Sequence, residues 1–63
     1  MSNIWHKATQ EPRGEWRIYY INCWHNVQRY SIDDMREEQK FNPSIKWEDV
    51  VKYCAIIRWA YEE

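Results

Sequence analysis

The chain predicts a small α+β domain: a small antiparallel sheet, made of a β-hairpin and a C-terminal strand, packed on one main helix. Three observations point there. Residues 47–61, WEDVVKYCAIIRWAY, open with Trp47, Val50, Val51 and Cys54 at i, i+3, i+4 and i+7, the stripe of a helix laid on a core. The same stretch closes with strand alternation, Ala55, Ile57, Trp59 and Tyr61 against Ile56, Arg58 and Ala60. Upstream, EWRIYYINC at residues 15–23 is rich in β-branched and aromatic side chains, the composition of a first strand.

Taken in order, residues 1–14 read as an extended N-terminal segment that Ile4 and Trp5 pin onto the domain. Glu11-Pro12-Arg13-Gly14 is a turn signal. In the first strand Trp16, Ile18 and Tyr20 share one face, and Arg17, Tyr19 and Ile21 the other. Residues 27–32, VQRYSI, read as the hairpin partner. A two-residue turn at Asn22-Cys23 sets Arg29 opposite Trp16. A three-residue loop, Trp24-His25-Asn26, pairs Tyr20 with Tyr30 and Ile18 with Ile32. The second register joins apolar residues and gives Asn26 the left-handed position, so it is preferred. Ser31-Ile32-Asp33-Asp34 resembles a capping box with Asp replacing Glu, and a short, mostly solvated helix follows on Met35 and Phe41. Asn42-Pro43-Ser44 breaks the chain, and Glu48 and Asp49 suit the first turn of the main helix. Residues 47–61 also fit one unbroken helix; the compact run CAIIRWAY favours the strand. The expected core is Trp16, Tyr20, Tyr30, Trp47, Val50, Val51, Ile57 and Trp59.

Sixty-three residues make one domain, and a chain this short buries only about 60 % of its unfolded surface. Five Trp, five Tyr and one Phe compensate, each able to bury roughly 150–250 Å². A net charge of −1 removes the electrostatic case for a nucleic-acid or anionic-membrane partner. Residues 1–30 carry a surplus of two positives and residues 31–63 a deficit of three. Cys23 and Cys54, both in apolar company, read as reduced thiols of a cytoplasmic protein. The N-terminal residues lack the apolar core of a signal peptide, and no run of ~20 apolar residues could span a membrane.

Cys23, His25, His6 and Cys54 form the ligand set of a structural zinc site, but neither a CxxC nor an HxxxH pair occurs. A catalytic Cys needs a positioned base; Cys54 falls in the apolar stripe, and nothing near Cys23 and His25 marks an oxyanion hole. The acidic pairs Asp33-Asp34, Glu37-Glu38 and Glu48-Asp49 suit solvated helix faces. No enzyme, cofactor or metal is therefore expected. The outer sheet face is more informative. Arg17, Tyr19, Arg29 and Arg58 fall there, with Trp24 and His25 at the loop tip, unless Trp5 folds back over them. Arg beside aromatic residues suits a protein interface, with a host protein or a second copy as partner. The alternative is a single-stranded nucleic acid on the same face.

Trp5-His6 ahead of Glu11-Pro12, then Trp16-Arg17-Ile18-Tyr19-Tyr20, Trp47 ahead of Tyr53, and the closing Arg58-Trp59-Ala60-Tyr61 carry a resemblance. The chain resembles a family of short uncharacterised proteins of bacteriophages and gut Bacteroides-type bacteria with a C-terminal RWAY-type motif. The resemblance runs from Trp5 to Tyr61 and departs from the family at Glu62-Glu63, where members carry an apolar tail. It implies a compact α+β fold, a phage or mobile-element origin and a role in binding host proteins, and it carries over no site residues.

Overall fold

The structure, a computed structural model, describes residues 4–62; the first three residues of the expected N-terminal segment, and Glu63, lie outside them. It is an α+β domain. In chain order the elements are β1 (His6–Lys7), β2 (Arg17–Asn22), β3 (Val27–Ser31), α1 (Ile32–Gln39), α2 (Trp47–Cys54) and β4 (Ile56–Tyr61). The strands form one sheet in the order β1-β4-β2-β3, with every neighbouring pair antiparallel. The expected hairpin and C-terminal strand are thus present. A fourth strand, β1, joins them, and α1 is a full helix beside the main one.

Both helices lie on one side of the sheet. The core joins Met35 of α1 and Trp47 and Val50 of α2 to Trp16, Ile18, Tyr20, Ile45, Ile56 and Trp59. Val51 and Tyr30, expected in the core, are half-buried against it. Aromatic rings carry much of this packing. Tyr30, Trp16, Trp47 and Trp59 form a chain of neighbours with centroids 5.7–6.2 Å apart, and His6 stacks on Trp59 at 4.4 Å. Such pairs add about 0.5–1.5 kcal/mol beyond the area they bury.

The N-terminal segment is held differently from expectation. Ile4 and Trp5 are exposed, and the polar ends of core aromatics grip the backbone instead. The Trp47 indole N–H donates to the Ala8 carbonyl at 2.7 Å, and that of Trp59 to the Gln10 carbonyl at 2.8 Å. The Tyr61 hydroxyl accepts the Arg13 N–H at 3.1 Å. The two indole bonds satisfy N–H groups that burial would otherwise orphan. Gly14 then turns the chain at φ 73°, a region that glycine enters freely.

The hairpin loop has three residues, but one position earlier than expected: Cys23-Trp24-His25. Asn22 and Asn26 close it, and His25, not Asn26, takes the left-handed conformation at φ 63°. This is a turn followed by a left-handed residue, a common three-residue hairpin connection. Ile18 therefore pairs with Tyr30 and Tyr20 with Gln28, instead of Ile18 with Ile32 and Tyr20 with Tyr30. The slip is two residues, so every side chain keeps its face.

Ser31 caps α1 through the reciprocal Ser31–Asp34 box. Met35 anchors this helix; Phe41, expected to help, is 92 % exposed. Asp49 accepts the Lys46 backbone N–H at 2.9 Å and closes the start of α2. That helix ends without Gly or Pro. Ala55 adopts φ 52° and ψ 46°, its N–H bonds back to the Lys52 and Val51 carbonyls, and β4 begins at the next residue. A bulge in β4 follows, where Ile21 pairs with Arg58 but Asn22 with Ile56. The extra residue reverses the expected alternation: Ile56 is 5 % exposed and fills the core position assigned to Ile57, which is 45 % exposed. Among the described residues no helix is long and apolar enough to cross a membrane.

Left-handed backbone costs an L-residue with a Cβ roughly 1–2 kcal/mol, part of which glycine returns through its greater unfolded-state entropy. Ala55→Gly should therefore stabilise the domain by about 0.5–1 kcal/mol, measured as a raised denaturation midpoint at unchanged m-value.

Candidate functional site

The sheet side opposite the helices is open along most of its area, with Ala60 buried in its middle, and register places its residues in three rows across the strands. One row runs Lys7, Arg58, Ile21, Val27; the next Ala60, Tyr19, Arg29; the last Glu62, Arg17, Ser31. Arg17, Tyr19, Arg29 and Arg58 thus lie together on one face, as the alternation of β2, β3 and β4 requires. Ile57, displaced outward by the bulge, adds an aliphatic group beside Arg58, and exposed Val27 and half-buried Ile21 add two more.

The electrostatics of this face are one-sided. Arg29 donates from Nη2 to Glu62 Oε1, and its guanidinium carbon lies 5.6 Å from the Tyr19 ring centroid. Among the described residues Lys7, Arg17 and Arg58 have no carboxylate at ion-pair distance. Lys7 and Arg58 are directly opposite each other across β1 and β4, an arrangement that costs stability unless an anion offsets it. Asp33, Glu37 and Glu38 are exposed on α1, while Asp34 borders Arg17 and Arg29 at the β3 end of the face.

Trp24 and His25 occupy the hairpin tip, beyond the row that holds Arg58 and Val27. Trp24 is 70 % exposed, yet its loop is fastened. Asn22 is buried, and its side-chain Oδ1 accepts the N–H groups of both Trp24 and Asn26 at 3.0 Å. An indole on a rigid loop loses little conformational freedom when a partner covers it. Asn22 was not singled out by sequence reasoning; an Asn able to bond backbone N–H groups two and four residues ahead was its signal. Lys7, Val27, Ile57 and Glu62 were missed as well. The strand pairing of β1 and the bulge bring the first and third to the face, and neither leaves a mark in local sequence.

The other candidate chemistry disperses. Cys23 is an exposed free thiol, not the apolar neighbour expected, and Cys54 is a half-buried free thiol at the end of α2. His6 is stacked on Trp59, far along the chain from His25 at the tip. Among the described residues no three His, Cys, Asp or Glu side chains gather as metal ligands. A hollow of about 500 Å³ lies beside His6, Pro12, Arg13, Trp59 and Tyr61. Its Trp59 N–H and Tyr61 hydroxyl already hold Gln10 and Arg13, so it is the seam where the N-terminal segment meets the core. A second hollow, about 360 Å³, lies between Arg17, Arg29, Ser31, Asp34 and Glu62. Glu15, bonded through both carboxylate oxygens to Arg36 at 2.9 Å, is held below the usual carboxylate range by that guanidinium.

Comparison with protein-family models, curated proteins and solved structures finds no match.

Two tyrosines behind the face report on its support. Burial, with Cys54 alongside, pushes the Tyr20 phenol up to about 12. Burial, then Glu38, raises Tyr30 as well. Both folded-state values lie above the unfolded value near 10, so stability from these groups is complete below pH ~10 and is lost as pH rises through their folded values. In a spectrophotometric titration Tyr20 and Tyr30 should ionise above the ordinary phenol range, together with loss of near-UV circular dichroism.

Proposed function

We propose that this chain is a non-enzymatic protein-interaction module that receives its partner on the open sheet face, with Trp24 as an anchor at the rim. One observation carries the reading. Four cations, a tyrosine and three aliphatic residues share an open face whose rows hold, among the described residues, a single carboxylate, Glu62. Arginine and aromatic residues around a partly apolar centre are the composition of binding hot spots. A protein suits this face better than a single-stranded nucleic acid. Tyr19, the aromatic residue at its centre, already lies under Arg29, whereas strand binders stack successive bases on several free rings. The net charge of −1 supplies no long-range attraction to phosphate.

The resemblance to short phage and Bacteroides-type proteins agrees with this reading and narrows it to an accessory protein that binds a host protein in the cytoplasm. Affinity capture from a host lysate tests it. Arg17→Glu with Arg58→Glu should lower partner capture at least about tenfold while shifting the melting temperature only slightly, because both side chains are exposed. Unchanged capture rejects the face. Binding to oligonucleotides that falls steeply with salt would replace the protein partner by nucleic acid.

A further inference from the structure

The two edges of the sheet are unequal. β1 exposes only two residues, too few to template another strand. β3 is five residues long, VQRYS, with no Pro, no Lys and no bulge, and Arg29 is its one charged side chain. Antiparallel ladders alternate, so successive residues turn their backbone groups to opposite sides. Asn22 bonds Asn26, and Ile32 bonds Trp16; the residues in phase with them, Gln28 and Tyr30, therefore face β2. Val27 and Arg29 consequently present both N–H and C=O outward. Ser31, the next in this phase, shows the same direction, since its N–H leaves the sheet for the Asp34 carboxylate at 3.0 Å.

We propose that this edge takes up an extended, acidic segment of a partner protein as a fifth strand beside β3. The inference rests on the sheet-face reading above and specifies how the partner enters. Two donors and two acceptors, on residues about 7 Å apart, fix its backbone. Alternate side chains of the added strand extend the rows of the basic face, beside Val27 and Arg29. Arg17, with no carboxylate at ion-pair distance among the described residues, is the charge left there to select a carboxylate. Glu62 sits against Arg29, and Glu62 and Asp34 both line the 360 Å³ hollow with Arg17 and Ser31. A second copy fits less well, because joining two β3 edges sets two basic faces side by side.

The probe is a capped heptapeptide of alternating glutamate and threonine, titrated into the isotope-labelled full chain. On saturation the Val27 and Arg29 amides should exchange at least about tenfold more slowly, with Gln28 and Tyr30 unchanged, because their N–H groups are already bonded to β2. Val27→Pro removes an outward N–H and no ladder bond, a substitution that an edge strand tolerates; it should weaken the peptide about tenfold. Glu62→Gln, which frees Arg29, should strengthen it. Peptide binding that leaves the Val27 and Arg29 amides unprotected, or that Val27→Pro does not alter, overturns the added strand. Sensitivity to Arg17→Glu would then still uphold the face itself. A dimer that forms without peptide and is broken by Val27→Pro overturns the acidic partner in favour of a second copy.

Discussion

Burial of the Trp59 indole couples the layers of this molecule. Its backbone pairs with His6 on one side and Tyr20 on the other, at the middle of the sheet. Its ring, 1 % exposed, meets His6, Trp47 and Tyr61, and its N–H closes on the Gln10 carbonyl. One side chain thus joins β1, α2, β4 and the N-terminal segment. A domain of this size has little apolar area to distribute, so a large ring with a single polar handle is an economical centre. The indoles of Trp16 and Trp47 extend the same arrangement toward Tyr30.

The change from helix to strand at Ala55 follows from that burial. Continued as a helix, residues 55–61 would keep their local hydrogen bonds but give up pairing with both β1 and β2. The sheet supplies ladder partners on two sides and a site for Trp59. These gains exceed the strain of one left-handed alanine, which is on the order of 1–2 kcal/mol. The adjoining bulge follows from the same requirement. It turns Ile56 inward beneath the sheet while leaving Trp59 in phase with Tyr20. Its by-product is an outward Ile57, which gives the basic face part of its aliphatic character.

Much of this architecture was legible in the residues. Periodicity located α2 and the inward side of β2, and the Ser31–Asp34 box located α1. The grouping of Arg17, Tyr19, Arg29 and Arg58 needed only strand alternation and faces that survive a two-residue slip. What escaped was non-local. The register of the hairpin depended on Asn22 bonding the loop backbone, and the identity of the buried isoleucine depended on a bulge. The pairing of His6 and Lys7 with β4 depended on partners about fifty residues away. Phe41 looked like an anchor by composition, but the chain leaves α1 before it can turn inward. Cys23 shows the same limit, since its apolar neighbours in sequence are not its neighbours in space.

The hydrogen bonds that hold the N-terminal segment span 39, 48 and 49 residues of sequence. Contacts of such separation form only after a large loss of chain entropy, so they belong to the late part of folding. The hairpin and helices can organise from local contacts. The N-terminal segment is made well before Trp59 and Tyr61, which complete its docking site. Until those two residues have left the ribosome, the leading end of the nascent domain has nothing to attach to.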